Sequence, residues 1–201
     1  MRLPAELINQ GFSLKDVSID DLGNYLDVKR VCYRKYVDEY YGGWIENIQI
    51  KMNTDVFDNM MKETYFQKLL LNNVPVGFFA YNEQKDKIDG ISIQMIEIAQ
   101  NKGVGSFYLK HITSLSKDTN KPIFLKVFKS NPAKNLYKRF EFEIYCETVT
   151  HYLMRYNPIK ANDFQFNDLC HEHNIYPNLK TPTSISGRSY NSATGGLETH
   201  L

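Results

Sequence analysis

The chain is poor in the features that mark exported, metal-stapled or membrane proteins. It has three cysteines in 201 residues, Cys32, Cys146 and Cys170, and no C-x-x-C pair. This odd and scattered set argues against a disulfide framework and a structural zinc site, and it favours the reducing cytoplasm. No apolar run approaches the roughly 20 residues of a membrane helix, and residues 1–11 lack the order of a secretory signal. We therefore expect a soluble, cytoplasmic protein.

An excess of charge of either sign is also absent. The chain has 24 Lys and Arg residues against 23 Asp and Glu residues, for a net charge of +1. No general field therefore draws it to nucleic acid or to an anionic membrane. We expect neither of these among its partners, and a small molecule fits better.

Hydrophobic spacing changes its period along the chain, and no internal repeat is present. Apolar residues three and four apart predict helices over residues 22–40, 44–60 and 103–115, and a short helix after Asn131. Runs rich in β-branched and aromatic residues predict strands over residues 12–17, 65–71, 76–81, 88–99, 122–128, 142–145 and 150–156. The order of these elements indicates one mixed α/β (α+β) domain with seven strands and about four helices.

The periodic pattern stops at Pro158. The segment that follows contains scattered prolines and a stretch rich in Ser, Thr, Asn and Gly, which is typical of irregular structure. We expect a domain at residues 1–157 and a C-terminal extension at residues 158–201. The apolar residues up to about Leu179 predict that its first part docks on the domain, or on a second copy of the chain in a homodimer.

The sharpest motif is Gln-Asn-Lys-Gly-Val-Gly at residues 100–105, between a predicted strand and a predicted helix. Glycines there let the backbone approach a ligand closely. The start of the helix offers unpaired amides and the positive end of its dipole. The segment predicts a site for a pyrophosphate, although a tight turn would explain it when it is taken alone.

The same segment resembles the Q/R-x-x-G-x-G/A motif of the GCN5-related N-acetyltransferases, the GNAT family. About 27 residues downstream, residues 130–140 are similar to the family's N-x-x-A-x-x-x-Y segment, and residues 147–154 resemble its last strand pair. The resemblance covers about residues 11–157. It implies the acyl-CoA acyltransferase fold of that family, with a mixed, mostly antiparallel, twisted sheet of seven strands flanked by helices.

The resemblance also implies a reaction. A GNAT enzyme is an acyltransferase (EC 2.3.1) that moves the acetyl group of acetyl-CoA to a primary amine, of a small molecule or of a protein, by direct attack through a tetrahedral intermediate. Two other classes stay open: a non-catalytic acyl-CoA-binding regulatory protein, and a toxin-like enzyme that acetylates charged transfer RNA. The near-neutral charge speaks against the second.

Family roles carry over to particular residues as expectations. The backbone of residues 96–98 is expected to pair with the pantetheine arm, and Ile98 or a neighbouring amide to polarise the thioester carbonyl. The amides of residues 102–106 are expected to hold the pyrophosphate, and Asn131 to meet the pantetheine side. The cofactor-binding residues are then Ile96, Ile98, Gln100, Lys102, Gly103, Val104, Gly105, Ser106 and Asn131.

Two residues are expected to move protons. Tyr137 resembles the family's general acid, which protonates the departing thiolate, although a core tyrosine is the alternative. An alkylammonium acceptor must lose a proton before it can attack. Glu97 is the candidate acceptor of that proton, and a surface carboxylate is its alternative interpretation.

The remaining expectations concern the amine and metals. Tyr40, Trp44 and Glu46 lie where the family builds its acceptor pocket, although core aromatics and a surface acid would look the same. The family's glycine after the tyrosine-bearing helix is Glu141 here, which would cost about 1 kcal/mol if its backbone is left-handed. The adjacent His171-Glu172-His173 lacks the spacing of a helical zinc pair, so we expect no metal.

Overall fold

The computed structural model describes residues 1–159 and forms one seven-stranded sheet. The strands run as β1 (Phe12–Asp16), β2 (Tyr65–Leu71), β3 (Val74–Glu83), β4 (Ile88–Met95), β5 (Ile123–Phe128), β6 (Glu143–Glu147) and β7 (His151–Tyr156). Their order across the sheet is β1-β2-β3-β4-β5-β7-β6, and every neighbouring pair is antiparallel except β4 and β5. The expected docking of the extension lies outside the described residues, and so does His171-Glu172-His173.

Five α-helices accompany the sheet within residues 1–159. They are α1 (Ala5–Ile8), α2 (Leu22–Tyr41), α3 (Glu46–Glu63), α4 (Val104–Thr119) and α5 (Ala133–Arg139). This mixed α/β architecture confirms the predicted fold class and strand count. The additional helix, α1, is four residues long and is too short to carry a hydrophobic period.

Local sequence explains where α2 begins and where β2 turns into β3. The amide and the hydroxyl of Ser18 both donate to Asp21 Oδ2, at 2.8 and 3.1 Å, in the turn that precedes α2. The helix ends at Gly42, whose φ is 78°. Asn72 and Asn73 have φ angles of 50° and 67°, and two such residues form the hairpin turn that suits the twist of the strands.

Each face of the sheet carries its own core. On one face, α4 buries Tyr108, Leu109 and Ile112 completely. On the other face, Tyr25 of α2 meets Phe57 of α3 with ring centroids 5.2 Å apart. Helix α4 thus covers one face of the sheet, and α2 and α3 cover the other.

The apolar residues that recur at four-residue intervals along α3, Ile48, Met52, Val56 and Met60, form a stripe that faces the core only in part. Ile48 and Val56 are 45% and 42% exposed, whereas Phe57, which lies off that stripe, is completely buried. A four-residue interval advances 400° around a helix, so a stripe built only on that interval drifts away from one face. The helix therefore packs through a neighbouring row of side chains.

The cysteines and the helix lengths of residues 1–159 bear on the expectations about disulfides and membrane spans. Cys32 is a free cysteine, whereas Cys146 is disulfide-bonded, a single bond that the argument against a disulfide framework did not anticipate. No helix in the described part of the chain is both long enough and apolar enough to cross a membrane.

Candidate functional site

A cleft opens in the sheet where β4 and β5 separate. The two strands are parallel and are bridged only through Ile88 and Ile123, at their amino ends. Towards their carboxyl ends, at Met95 and Phe128, no strand among the described residues pairs with the facing edges. An unpaired edge leaves backbone donors and acceptors free to bind an extended ligand as if it were an added strand.

The backbone N–H and C=O groups of a strand alternate in direction, and this alternation identifies the residue of β4 whose groups face the cleft. The Ile96 amide donates to the Val76 carbonyl of β3 at 3.0 Å. Successive backbone groups of a strand point to opposite sides, so the N–H and C=O of Met95 point away from β3, into the cleft. The Met95 carbonyl accepts a hydrogen bond from Gln100 Nε2 at 2.8 Å, which ties the following loop to the end of the strand.

The expected cofactor strand is shorter than predicted. β4 ends at Met95, and Glu97, Ile98 and Ala99 form a 3-10 turn. The Ile96 amide is already paired with β3, and Ile98 is 60% exposed. The strand predicted over residues 88–99 is thus four residues too long, and the cleft-facing amide is that of Met95, where the sequence pointed to Ile98.

The loop at residues 100–106 has the geometry of an anion site. Asn101 and Gly103 have φ angles of 57° and 90°, and these angles turn the chain into α4. Phe107 donates the first helical hydrogen bond, to the Gly103 carbonyl at 2.9 Å. The amides of residues 103–106 therefore have no partner inside the helix, and they lie at the positive end of its dipole.

The two glycines of this loop serve different purposes. Gly103 has a left-handed backbone, and a Cβ built on it would meet only Leu7 Cδ2, at 4.0 Å. A Cβ on Gly105 would lie 3.1 Å from Leu136 Cδ2 and 3.4 Å from Met95 Cε. Gly105 therefore allows α4 to pack closely against Leu136 of α5 and Met95 of β4, whereas Gly103 forms the turn.

Asn131 and Tyr137 lie at the two ends of α5. Asn131 Oδ1 accepts the Ala133 amide at 2.9 Å, as the predicted helix cap does. Tyr137 is 8% exposed, and burial raises its pKa to about 12. Its hydroxyl therefore stays protonated at neutral pH, as a proton donor requires.

The three residues expected in the acceptor pocket have defined partners. The ring of Tyr40 stacks on Phe128 with centroids 5.6 Å apart, and its hydroxyl accepts the Ser130 amide at 3.2 Å. Trp44 Nε1 donates to Glu46 Oε2 at 2.8 Å. Hydrogen bonds from Arg30 and then from Trp44 lower the pKa of Glu46, so this carboxylate is ionised and already paired. Tyr40 thus lies at the carboxyl end of β5, while Glu46 is engaged with α2.

The remaining expected site residue, Glu97, is exposed and lies in the 3-10 turn after the cleft-facing amide of Met95. It is thus close to the strand end in sequence and accessible to water. Among residues 1–159, no group of three or more His, Cys, Asp or Glu side chains could hold a metal ion.

Helix α2 brings to the cleft a group of residues that the sequence did not reveal. Its early part contacts β3 through Tyr25 and Phe78, with centroids 5.4 Å apart, and its later part stacks Tyr36 on Phe128 of β5 at 5.0 Å. The helix therefore crosses the opening between β4 and β5. The side chains it carries there include Lys29 and Cys32, which the helical spacing alone assigns only to an amphipathic face.

The groups at this crossing have shifted pKa values. Burial raises the pKa of Cys32 to about 11, against the opposing effects of Lys29 and of the Met95 amide beside the thiol. Burial, opposed by Cys32 and assisted by Lys126 of β5, lowers the pKa of Lys29 to about 8. Burial and then Lys126 lower the pKa of His151 to about 4. At neutral pH, Cys32 and His151 are therefore uncharged, and about one-tenth of Lys29 is free base.

Known structures share this architecture, although no protein-family model and no curated protein sequence matches the chain. The PaiA N-acetyltransferase of Thermoplasma acidophilum, solved with coenzyme A, is 14% identical with a TM-score of 0.59 over 73% of this chain and 98% of that one. The ribosomal-protein-S18-alanine N-acetyltransferase of Escherichia coli is 16% identical with a TM-score of 0.53, over 77% and 99%. Arabidopsis thaliana Naa50, solved with the bisubstrate analogue CoA-Ac-MVNAL, is 17% identical with a TM-score of 0.52, over 73% and 99%. Residues 1–159 therefore have the fold of the GNAT N-acetyltransferases.

Proposed function

We propose that the chain is a GCN5-related N-acetyltransferase that transfers the acetyl group of acetyl-CoA to a primary amine of a small molecule or a protein. One observation carries the proposal: the unpaired edge of β4 ends next to the unpaired amides at the start of α4. Coenzyme A combines an amide-bearing arm with a pyrophosphate, and these two parts match an open strand edge and a helix start.

The cofactor roles follow from the directions of the backbone groups. The amides of residues 102–106 would hold the pyrophosphate, with Gly103 forming the turn. The cleft-facing edge of β4 would pair with the pantetheine arm, and the Met95 amide, which lies against the Cys32 thiol in this structure, would donate to the thioester oxygen in the complex. Asn131 uses its Oδ1 to cap α5, so its contact with the arm would come from Nδ2.

Proton transfer is assigned to two side chains. Tyr137, with its pKa raised by burial to about 12, would protonate the departing thiolate. Glu97 is exposed beside the strand end and would accept the proton of the ammonium through water. Tyr40 would line the acceptor pocket at the end of β5, and Trp44 and Glu46 would shape its rim through their bond to each other.

The wider description of the enzyme rests on the same proposal. It would be an EC 2.3.1 acyltransferase of the cytoplasm, with acetyl-CoA as co-substrate and no metal. A homodimer would place the segment after the domain against a second copy.

The experiment is a panel of primary amines offered with acetyl-CoA while thiol release is followed. We expect release with at least one amine, and a loss of about 10²-fold or more in the Tyr137→Phe variant with similar cofactor affinity. A chain that binds acetyl-CoA but releases no thiol with any amine would instead be a non-catalytic acyl-CoA-binding regulatory protein. Equal turnover in the variant would make Tyr137 a core residue only.

A further inference from the structure

Lys29 occupies an unusual place for a lysine. Its Nζ lies 4.4 Å from the ring centroid of Tyr33 and 5.7 Å from that of Tyr25. Tyr25 packs on β3 and Tyr33 lies 6.3 Å from Phe128 of β5. The amine therefore lies where α2 crosses the cleft, and no carboxylate within residues 1–159 forms an ion pair with it.

Lys29 is also close to the position where the thioester is expected. Cys32 follows Lys29 by one helical turn, and residues three apart on a helix are neighbours on its surface. The thiol of Cys32 lies beside the Met95 amide, which is the donor assigned above to the thioester oxygen. Lys29 and Lys35 are both three residues from Cys32 on α2, and Lys29 is the one whose amine lies over the Tyr25 and Tyr33 rings at the crossing.

We propose that Lys29 is a self-acetylation site, at which the chain acetylates its own amine from acetyl-CoA bound in the cleft. This inference rests on the proposed function, because it requires the thioester to lie at Met95. The Nζ lone pair forms a bond to the acetyl carbon as the carbon–sulfur bond breaks. Coenzyme A leaves as the thiolate and takes up the proton that Nζ loses, so the products are Nζ-acetyl-Lys29 and the free thiol.

The protonation states of Lys29, Cys32 and Lys35 decide which of these side chains can act as the nucleophile. A thiol acts as a nucleophile only as the thiolate, and burial keeps the pKa of Cys32 at about 11. With its pKa lowered to about 8, mainly by burial, Lys29 is roughly one-quarter free base at pH 7.5, against about one part in a thousand for an ordinary lysine. Lys35, on the same helix, is exposed and provides the matched comparison.

The test incubates the purified full chain with acetyl-CoA and measures acetylation of each lysine by peptide mass spectrometry. We expect Lys29 to gain an acetyl group at least about tenfold faster than Lys35, because more of it is free base. The rate should rise with pH up to about 8 and then level off, because the pKa of Lys29, set by burial with smaller effects of Cys32 and Lys126, is about 8 and the amine is mostly free base above it. The Lys29→Arg variant should lose the fast phase, and Lys35→Arg should keep it.

Binding of acetyl-CoA is measured by calorimetry on the same sample, so that the two proposals fail separately. Binding without preferential acetylation of Lys29 would overturn self-acetylation and leave the proposed function standing. Absence of binding would overturn both. Equal acetylation of Lys29 and Lys35, or the same pattern in urea-unfolded protein, would mean chemical modification by the thioester and would also overturn the inference.

Discussion

Replacing Gly103 by aspartate and by asparagine separates charge from shape at the start of α4. The position is exposed and left-handed, with φ of 90°, and a new Cβ would have room, since its nearest neighbour is 4.0 Å away. Asp and Asn both tolerate left-handed backbone better than other side chains. The two variants should therefore unfold at similar temperatures, below that of the wild type.

Only the aspartate places a negative charge beside the unpaired amides of residues 103–106. A carboxylate about 5 Å from a pyrophosphate with about two negative charges is repelled by roughly 1.7 kcal/mol in a water-like dielectric. That energy is roughly a twentyfold rise in Kd for acetyl-CoA relative to the asparagine variant, and it should shrink at high salt. Calorimetry measures both affinities. Equal Kd values for the two variants would show that the pyrophosphate does not lie at this loop.

Three further predictions concern single side chains. The Tyr137→Phe variant keeps the buried ring and removes only the hydroxyl, so its thermal stability should change little while thiol release falls about 10²-fold. Glu141 has φ of 63°, so Glu141→Gly should raise the free energy of unfolding by about 1 kcal/mol in urea titrations, whereas Glu141→Ala should give no such gain. Because burial lowers the pKa of Lys29 from 10.5 to about 8, the unfolded chain binds more protons than the folded chain between those two values, and the wild type should gain stability as the pH rises through that window. The Lys29→Met variant should lack this gain, and an unchanged pH profile would contradict the burial of the amine.

Structural features that depend only on a few neighbouring residues could be predicted from the sequence. The short helix after Asn131 was predicted correctly, because the cap that Asn131 provides depends only on a few neighbouring residues. The left-handed backbone at Glu141 is also a local feature, and the sequence pointed to it through the glycine that the family has at this position.

Features that depend on the tertiary arrangement of helices and strands could not be predicted from the sequence. The end of β4 was placed beyond Met95, because nothing in Ile96–Glu97–Ile98 marks the change from strand to 3-10 turn. The position of Lys29 and Cys32 at the opening between β4 and β5 depends on the path of α2 across the sheet. Helical spacing assigns Lys29 to a face of α2, but it does not reveal what that face covers.

The central claim is that acetyl-CoA binds along the open edge of β4 and at the start of α4, and amide chemical shifts test it most directly. When acetyl-CoA is added to 15N-labelled protein, the amide signals of Met95 and residues 102–106 should shift together and saturate at one Kd. Signals of β1, at the far edge of the sheet, should stay in place. Saturable shifts confined to other surfaces, or none at millimolar acetyl-CoA, would contradict the account.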